Sequence, residues 1–226
     1  MAKKVFLSAG HGGSDPGAVS GSLKEKDINL QVLLSCKSEL ERHGVKVISS
    51  RVKDEDDPVG QEVKEANASG SDVAVSFHVN AGGGDGFEAY YYTTNTKGKK
   101  LAELGEKYVK KLGQNSRGIK SGNHLYFVKN TKMPAVLYES FFIDNATDKK
   151  IGDTVAEQKA FGVAYAKAIL EYLGITYKEE STASTTSKTS ETLYCVQVGA
   201  YSKKENAESM RKKLKAAGFV SNIVTK

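Results

Sequence analysis

The sequence predicts an α/β protein, with an open, twisted and mainly parallel sheet flanked by helices and a small βαβ-like module at the C-terminus. Over residues 1–177, short apolar runs alternate with segments of helical periodicity, which is typical of a parallel sheet with crossover helices. The apolar runs show little alternation of polarity, which indicates strands that helices cover on both faces. One polar stretch then separates this body from residues 192–226.

Each element follows from its local pattern. Runs rich in β-branched, apolar and aromatic residues predict strands, and in chain order these are KVFLSA (4–9), VKVISS (45–50), DVAVSFHVNA (72–81), GFEAYYYTT (86–94), LYFVKN (125–130) and PAVLYESFFI (134–143). Apolar residues at helical spacing, followed by glycine, predict helices over residues 27–44, 61–70, 98–113 and 155–174. In residues 192–226 the same patterns predict a strand, an amphipathic helix and a second strand.

Residues 178–191, KEESTASTTSKTSE, contain no aliphatic side chain larger than alanine. Such a stretch cannot bury enough surface to offset its ordering entropy, so it predicts a flexible linker between a body of residues 1–177 and a tail of residues 192–226. The tail also carries most of the net charge of +6, with seven Lys or Arg residues against two glutamates. Such an excess is typical of a solvated helix face, and it would also attract a polyanion.

Several classes of function have no support. No apolar run approaches the roughly 18 residues of a membrane span, and no apolar signal segment follows the first lysines, so we expect cytoplasmic synthesis and no membrane partner. AGHGGSDPG lacks the glycine that a dinucleotide-binding loop needs at Asp15, and Pro16 breaks a serine-nucleophile motif. Neither nucleotide nor nucleic-acid binding is expected. Cys36 and Cys195 lie in different modules and are predicted to be free thiols.

Three potential metal ligands lie near the carboxyl ends of predicted strands, the edge where ligands of α/β sheets collect. His11 follows the first strand in a glycine-rich turn, Glu25 lies at the start of the first helix and can face back over the sheet edge, and His78 closes the third strand. Two histidines and one glutamate leave a fourth position open for water, which is typical of catalytic zinc. Each residue alone has an ordinary structural explanation, so the prediction of a zinc site depends on their joint occurrence.

Glu139 lies near the end of the apolar strand 134–143. Burying a carboxylate there is costly unless it is paired, protonated or used in chemistry, whereas on an edge strand it would simply face water. Beside a metal-bound water it would be positioned as a general base. Asn80 is a candidate either to support a ligand or to contact substrate, and His124 is a candidate substrate contact. His43 fits the last turn of a helix, where a cation suits the dipole.

Five motifs occur in chain order over residues 4–174: HGGSDPGA, the helix-opening Glu25, SFHVNA, GFEAYYY and RGIKSGNHLYFVKNTKMPAVLYESFFIDN. Together they resemble the zinc-dependent N-acetylmuramoyl-L-alanine amidases, peptidoglycan hydrolases of bacteria and their phages. The resemblance implies an open α/β sheet, zinc held by His11, Glu25 and His78, and Glu139 as the catalytic residue. It also implies hydrolysis of the amide between N-acetylmuramic acid and L-alanine, as in endolysins and autolysins that lyse cells.

The chain departs from the family pattern in two places. Ser8 and Ala9 stand where the family often has Asp-Pro, and Glu62 lies near a position where it often has Arg. These positions support or orient rather than ligate, so we expect them to affect substrate positioning.

In the tail, YCVQVGAYSKKENAESMRKKLKAAGF resembles half of the SPOR repeat, which binds peptidoglycan. A lone half exposes an unpaired strand edge, so we expect a homodimer through residues 192–226.

Two other functions stay open. A protein of the same fold could bind the cell wall without catalysis, or a zinc peptidase could cut within the stem peptide. Zinc content and the release of amino groups from wall distinguish the first alternative from an amidase, and fragment masses distinguish the second.

Overall fold

The computed structural model describes residues 2–179, 198–216, 221 and 223. Contacts between residues divide the chain into two units, residues 1–179 and residues 180–226. The first unit holds the sheet and the candidate site, and the described part of the second unit contains one helix.

A six-stranded sheet forms the centre of the first unit. The strands of this unit are β1 (Lys4–Ala9), β2 (Val19–Ser20), β3 (Leu23–Lys24), β4 (Lys46–Ser49), β5 (Val73–Asn80), β6 (Phe87–Tyr91), β7 (Ser116–Ser121) and β8 (Ala135–Phe142). The helices of the chain are α1 (Glu25–Arg42), α2 (Val59–Ser69), α3 (Thr96–Val109), α4 (Tyr126–Asn130), α5 (Val155–Tyr172) and α6 (Lys204–Ala216). The sheet order is β4-β1-β5-β8-β6-β7, and β2 and β3 form a separate hairpin. Within the six-stranded sheet, neighbouring strands run parallel except β6 and β8, which confirms the predicted fold class.

One face of the sheet packs against α1, α3 and α5, and we call it the apolar face. Val75, Phe77 and Tyr138 point to this face from the central strands and are fully buried. Tyr138 stacks on Tyr165 of α5 with 4.5 Å between ring centroids, and its hydroxyl donates to the Leu101 carbonyl at 2.7 Å. The apolar face holds the larger of the two core clusters, so it supplies most of the apolar burial that stabilises the fold.

The opposite face of the sheet packs against α2 and α4, and we call it the site face. A smaller core cluster lies between this face and the two helices. It contains Phe6, Val63, Ala66, Ala74, Phe127, Val128, Ala135 and Leu137. Successive side chains of a strand point to opposite faces, so His78 follows Phe77 on the site face and Glu139 follows Tyr138. The site face therefore carries polar groups where the strands end.

The strand predicted at residues 125–130 is wrong. Residues Tyr126–Asn130 form α4, where burial of Phe127 and Val128 against the site face favours a single helical stretch. A short apolar run cannot be assigned to helix or strand from periodicity alone. The sequence does not predict β7, SRGIKS, because this edge strand is polar and half-exposed.

The other predicted strands and helices of the first unit are present, with ends within four residues of those expected. In the tail, α6 matches the predicted helix, whereas the two tail strands, Cys195 and the linker at residues 178–191 lie wholly or mostly outside the described residues. Cys36 is buried and makes no disulfide. Within the described ranges, no helix combines the length and the apolar character that crossing a membrane requires.

Candidate metal centre and general base

The turn after β1 places His11 at the carboxyl edge of the sheet. His11 has a φ of 64°, in the left-handed region that few side chains adopt, between Gly10 and Gly12. The turn is closed by a pair of backbone hydrogen bonds between Gly12 and Asp15, each 3.0 Å long. Backbone strain of this kind persists where the surrounding structure over-determines it, often at functional sites.

His11, Glu25 and His78 converge on one point. Nε2 of His11 lies 3.3 Å from Oε1 of Glu25, and Nδ1 of His78 lies 2.9 Å from the same oxygen. The three residues offer ligand atoms that all lie within 4.8 Å of one another. Glu25 reaches the histidines because it is the first residue of α1 and its buried side chain points back over the sheet edge. The fold thus brings together the three residues that the sequence predicts as ligands.

Two glycines leave the space for this cluster. A Cβ atom at Gly10 would lie 2.0 Å from Cε1 of His78. A Cβ atom at Gly17 would lie 2.6 Å from Oε2 of Glu25 and 2.8 Å from Cδ2 of His11, and Gly17 also has a φ of 62°. A side chain at either position would therefore displace one of the three residues.

The electrostatics of the cluster suit a cation. A hydrogen bond to Glu25 raises the pKa of His11 to about 9. Burial disfavours charge on His78, but Glu25 and Glu139 outweigh it and raise the pKa of His78. Burial alone would raise the pKa of Glu25, yet the two histidines hold it well below its usual range. The site therefore attracts positive charge, and a divalent cation in place of the two imidazole protons fits this donor set.

Further hydrogen bonds hold His11 and Glu25 in place. Nδ1 of His11 lies 2.8 Å from Oδ2 of Asp15, so a proton on Nδ1 leaves Nε2 free to ligate. Oε2 of Glu25 accepts a hydrogen bond from the Ala18 N–H at 2.8 Å, and Oε1 accepts one from the Val79 N–H at 3.3 Å. Sequence reasoning missed this role of Asp15, although an acidic residue four positions after a candidate histidine ligand was an available signal.

Glu139 lies beside this cluster. In the pairing of β5 with β8, His78 lies opposite Glu139, so both reach the same height on the site face. Oε2 of Glu139 is buried and has no hydrogen-bond partner among the described residues. Burial raises the pKa of Glu139 to about 7. A carboxyl group with this pKa can accept and release a proton near neutral pH, as a general base must.

Comparison with known proteins gives the family. The model of the N-acetylmuramoyl-L-alanine amidase family matches residues 5–171, and that of the SPOR domain matches residues 190–226. The chain belongs to the N-acetylmuramoyl-L-alanine amidase family. The predicted resemblances to the amidase family and to the SPOR domain are thereby confirmed.

Relatives match this amidase along most of its length. The sporulation-specific N-acetylmuramoyl-L-alanine amidase of Bacillus subtilis (strain 168) is 32% identical over 231 residues, which cover 99% of this chain and 85% of that protein. An endolysin of Bacillus phage SPP1 is 38% identical over 194 residues, covering 81% of this chain and 70% of that protein. Among solved structures, the catalytic domain of CwlV, an N-acetylmuramoyl-L-alanine amidase from Bacillus (Paenibacillus) polymyxa var. colistinus, has a TM-score of 0.72 at 33% identity, covering 77% of this chain and 99% of that one.

In this amidase, Glu88 extends the site on the far side of Glu139. Glu88 is the antiparallel partner of Glu139 on β6 and is 2% exposed. It accepts hydrogen bonds from Nδ2 of Asn80 at 3.1 Å and from Nε of Arg117 at 2.6 Å. Sequence reasoning missed Glu88, although the argument that singled out Glu139, a carboxylate within an apolar strand, applies to it equally.

The remaining histidines of the amidase lie away from the three converging residues. His124 is exposed on the site face, where its ring and that of Tyr90 make a T-shaped contact with 6.0 Å between centroids. His43 caps the C-terminal end of α1, and its Nδ1 lies 2.7 Å from the Glu39 carbonyl. His124 thus stays a candidate substrate contact, whereas His43 occupies the helix end that the sequence indicates.

Two of the three residues that depart from the family pattern are in contact. Ser8 and Glu62 are both buried and share a hydrogen bond, whereas Ala9 lies in the apolar core. Burial raises the pKa of Glu62 to about 7. Oγ of Ser76 lies 3.4 Å from Oγ of Ser8, so this polar group extends to the strand that carries His78.

Proposed function

We propose that this chain is a zinc-dependent amidase that hydrolyses the bond between N-acetylmuramic acid and L-alanine in peptidoglycan. The observation that carries the proposal is the convergence of His11, Glu25 and His78 within 4.8 Å, with Glu139 opposite His78 on the adjacent strand. The family assignment supports the same reaction. Zinc held by these three residues would polarise the scissile carbonyl and lower the pKa of a coordinated water.

Glu139 is the proposed general base. Its buried oxygen, which has no partner in the described part of the chain, can accept the proton of the attacking water. A pKa of about 7 lets the carboxyl group hold that proton. The same group then donates the proton to the amino group of L-alanine as the carbon–nitrogen bond breaks. Proton transfer by a positioned side chain contributes about 10²–10⁴-fold to such a reaction.

Analysis of the reaction products tests this proposal against its alternatives. The full chain, loaded with zinc, is incubated with purified peptidoglycan, and mass spectrometry identifies the soluble fragments. We expect intact stem peptides that begin with L-alanine, and glycan strands without peptide. Stems cut internally would instead show a peptidase, and zinc binding without release of amino groups would show a protein that only binds the wall.

The identity of the metal is tested with the same assay. A strong chelator should abolish the release of amino groups, and zinc should restore it. Magnesium should not, because two imidazole ligands suit zinc, whereas magnesium prefers oxygen ligands. Full restoration by magnesium would contradict the assignment of zinc.

The tail at residues 192–226 is proposed to retain the enzyme on the cell wall, since the SPOR match covers it. A βαβ half of about 35 residues is too small to bury a core alone, so we propose that two tails pair and form a homodimer. The linker at residues 178–191 would let the catalytic domains at residues 1–177 move independently. Light scattering should give a dimer for the full chain and a monomer for residues 1–177, and monomers for both at tens of micromolar would exclude pairing.

A further inference from the structure

The site face continues past Glu139 onto two more strands. Glu88 lies opposite Glu139 in the β6–β8 pair, and Lys120 lies opposite Tyr90 in the β6–β7 pair. Burial alone would raise the pKa of Glu88, but hydrogen bonds from Lys120, Tyr90 and Arg117 lower it. Glu88 is therefore a buried anion that holds two cations at the side of the catalytic carboxylate.

Arg117 is held in one orientation by two contacts. Its Nε donates to Oε1 of Glu88 at 2.6 Å, and its guanidinium carbon lies 5.3 Å from the ring centroid of Phe142. The side chain is still 44% exposed, and within the described part of the chain its two terminal nitrogens have no hydrogen-bond partner. A guanidinium group fixed through Nε presents these nitrogens as a fork that matches a carboxylate.

Lys120 adds a second positive charge to this fork. Its Nζ donates to the same Oε1 of Glu88, and its side chain is 35% exposed. One buried carboxylate thus faces two cations, and the nearby Asp85 is itself hydrogen-bonded to the side chain of Asn115. Arg117 and Lys120 consequently offer hydrogen-bond donors and positive charge to an anionic ligand at the surface.

The position of this fork fits a peptide that leads away from the scissile amide. Neighbouring strands lie about 4.8 Å apart, so Glu88 is about one spacing from Glu139, and the fork lies about 5–10 Å from it. An extended peptide covers about 3.4 Å per residue. A carboxylate on the second residue of the stem peptide would therefore reach the fork when the amide before the first residue lies at Glu139.

We propose that Arg117, assisted by Lys120, binds the free carboxylate on the second residue of the stem peptide. This specificity site rests on the proposed amidase function, because the distance is counted from the bond that Glu139 would help to cleave. Arg117 and Lys120 are binding residues, and neither takes part in proton transfer.

Two matched substrates test this proposal. Both are muropeptides with a complete stem, and they differ only at the second residue, which carries either a free carboxylate or a carboxamide. With the zinc-loaded full chain, we expect a KM about 10-fold or more lower for the carboxylate substrate, because charge-assisted hydrogen bonds are stronger than neutral ones. In Arg117→Gln the KM for the carboxylate substrate should rise by about 10- to 100-fold with kcat within about twofold.

Three further variants separate binding from structure. Arg117→Lys should recover only part of the affinity, because lysine keeps the charge and loses the planar fork. Lys120→Gln should raise the same KM by less than Arg117→Gln does. Lys159→Gln, which removes an exposed lysine on α5, should leave both substrates unaffected.

The outcomes distinguish this proposal from the proposed function. If the wild-type enzyme cleaves both substrates with equal KM, or if Arg117→Gln weakens both equally, the carboxylate site is wrong and the amidase function stands. If the zinc-loaded wild-type enzyme cleaves neither substrate, the amidase function is wrong, and the carboxylate site is wrong with it.

Discussion

The two faces of the central sheet differ in what they bury. On the apolar face, Phe77 and Tyr138 pack among side chains of α1, α3 and α5 and have no exposed surface. One residue further along the same strands, His78 and Glu139 point to the site face, where they meet other ionisable groups. The two faces use the same strands, and the alternation of side chains along each strand separates them.

The difference shows how this fold separates stability from chemistry. Burying a carboxyl group costs free energy, and the site face buries Glu62, Glu88 and the Oε2 atom of Glu139. Apolar burial on the opposite face offsets that cost. We therefore expect substitutions on the apolar face to change the free energy of unfolding, and substitutions on the site face to change metal binding and turnover.

The largest expected difference is between the neighbours Phe77 and His78. Phe77→Ala should lower the free energy of unfolding by about 3–5 kcal/mol, because it opens a cavity in the core, while the folded protein still binds zinc. His78→Ala should lose zinc and lower activity by at least about 1000-fold, because several kcal/mol of transition-state stabilisation depend on the metal. Zinc content and activity measure the effect of His78→Ala. Chemical denaturation in the presence of a chelator measures the effect of Phe77→Ala on the free energy of unfolding.

His43→Ala is the matched control for His78→Ala, since His43 lies at the far end of α1 from Glu25. It should keep both zinc and activity. Stoichiometric zinc in His78→Ala would contradict the ligand assignment.

The next effect concerns the pair Tyr138 and Glu139. Glu139→Gln should keep zinc and wall binding but lose activity by about 100-fold or more, since an amide cannot accept the proton. Tyr138→Phe should keep full activity and lower the free energy of unfolding by about 1 kcal/mol, because it removes the hydrogen bond to the Leu101 carbonyl. The turnover of the zinc-loaded variants measures the effects on activity, and urea denaturation measures the effects on the free energy of unfolding. Normal turnover in Glu139→Gln would show that another residue activates the water.

The sequence predicts the apolar face better than the site face. The strands that contain Phe77 and Tyr138 are long apolar runs, and the helices over them have clear periodicity and terminal glycines, so their pattern is local. The edge strand β7 and the helix α4 have weak local patterns, and their structures depend on what they pack against. The same limit explains why the strand predicted at residues 125–130 is wrong.

The residues of the candidate site also differ in whether the sequence predicts them. His11, His78 and Glu139 could be predicted because each is an unusual residue at the end of an apolar run. The partnership of Glu88 with Arg117 and Lys120 could not, because it depends on which strands pair and in which register.

A smaller effect is expected from Glu62, the buried carboxyl that departs from the family pattern. Its pKa is raised by burial from 4.5 to about 7 in the folded chain, so between these pH values the folded state keeps a proton that the unfolded state has released. The contribution of Glu62 to stability should therefore fall as the pH rises through this window, by at most about 3 kcal/mol. Glu62→Gln should remove this fall and stabilise the protein at pH 8 but not at pH 4.

Urea denaturation of the metal-free protein at the two pH values measures the effect of Glu62→Gln. Glu103→Gln, which changes a half-exposed glutamate on α3, is the control and should leave the pH dependence of wild type unchanged. An equal gain from Glu62→Gln at both pH values would show that its ionisation does not matter.

The smallest expected effect concerns Asp15, which orients His11 from the exposed side of the site. Loss of a carboxylate that holds a histidine ligand typically costs 10- to 100-fold in metal affinity. The Asp15 side chain is 65% exposed, so solvent weakens its interaction with His11, and we expect Asp15→Asn to weaken zinc binding by only about tenfold. Asp27→Asn, on the exposed surface of α1 two residues after Glu25, is the matched control and should not change zinc affinity.

Competition with a chelator of known affinity measures the zinc affinity of both variants without any assay of turnover. If Asp15→Asn binds zinc as tightly as Asp27→Asn does, the turn after β1 alone must fix the imidazole, and its hydrogen bond to Asp15 contributes nothing to the metal centre.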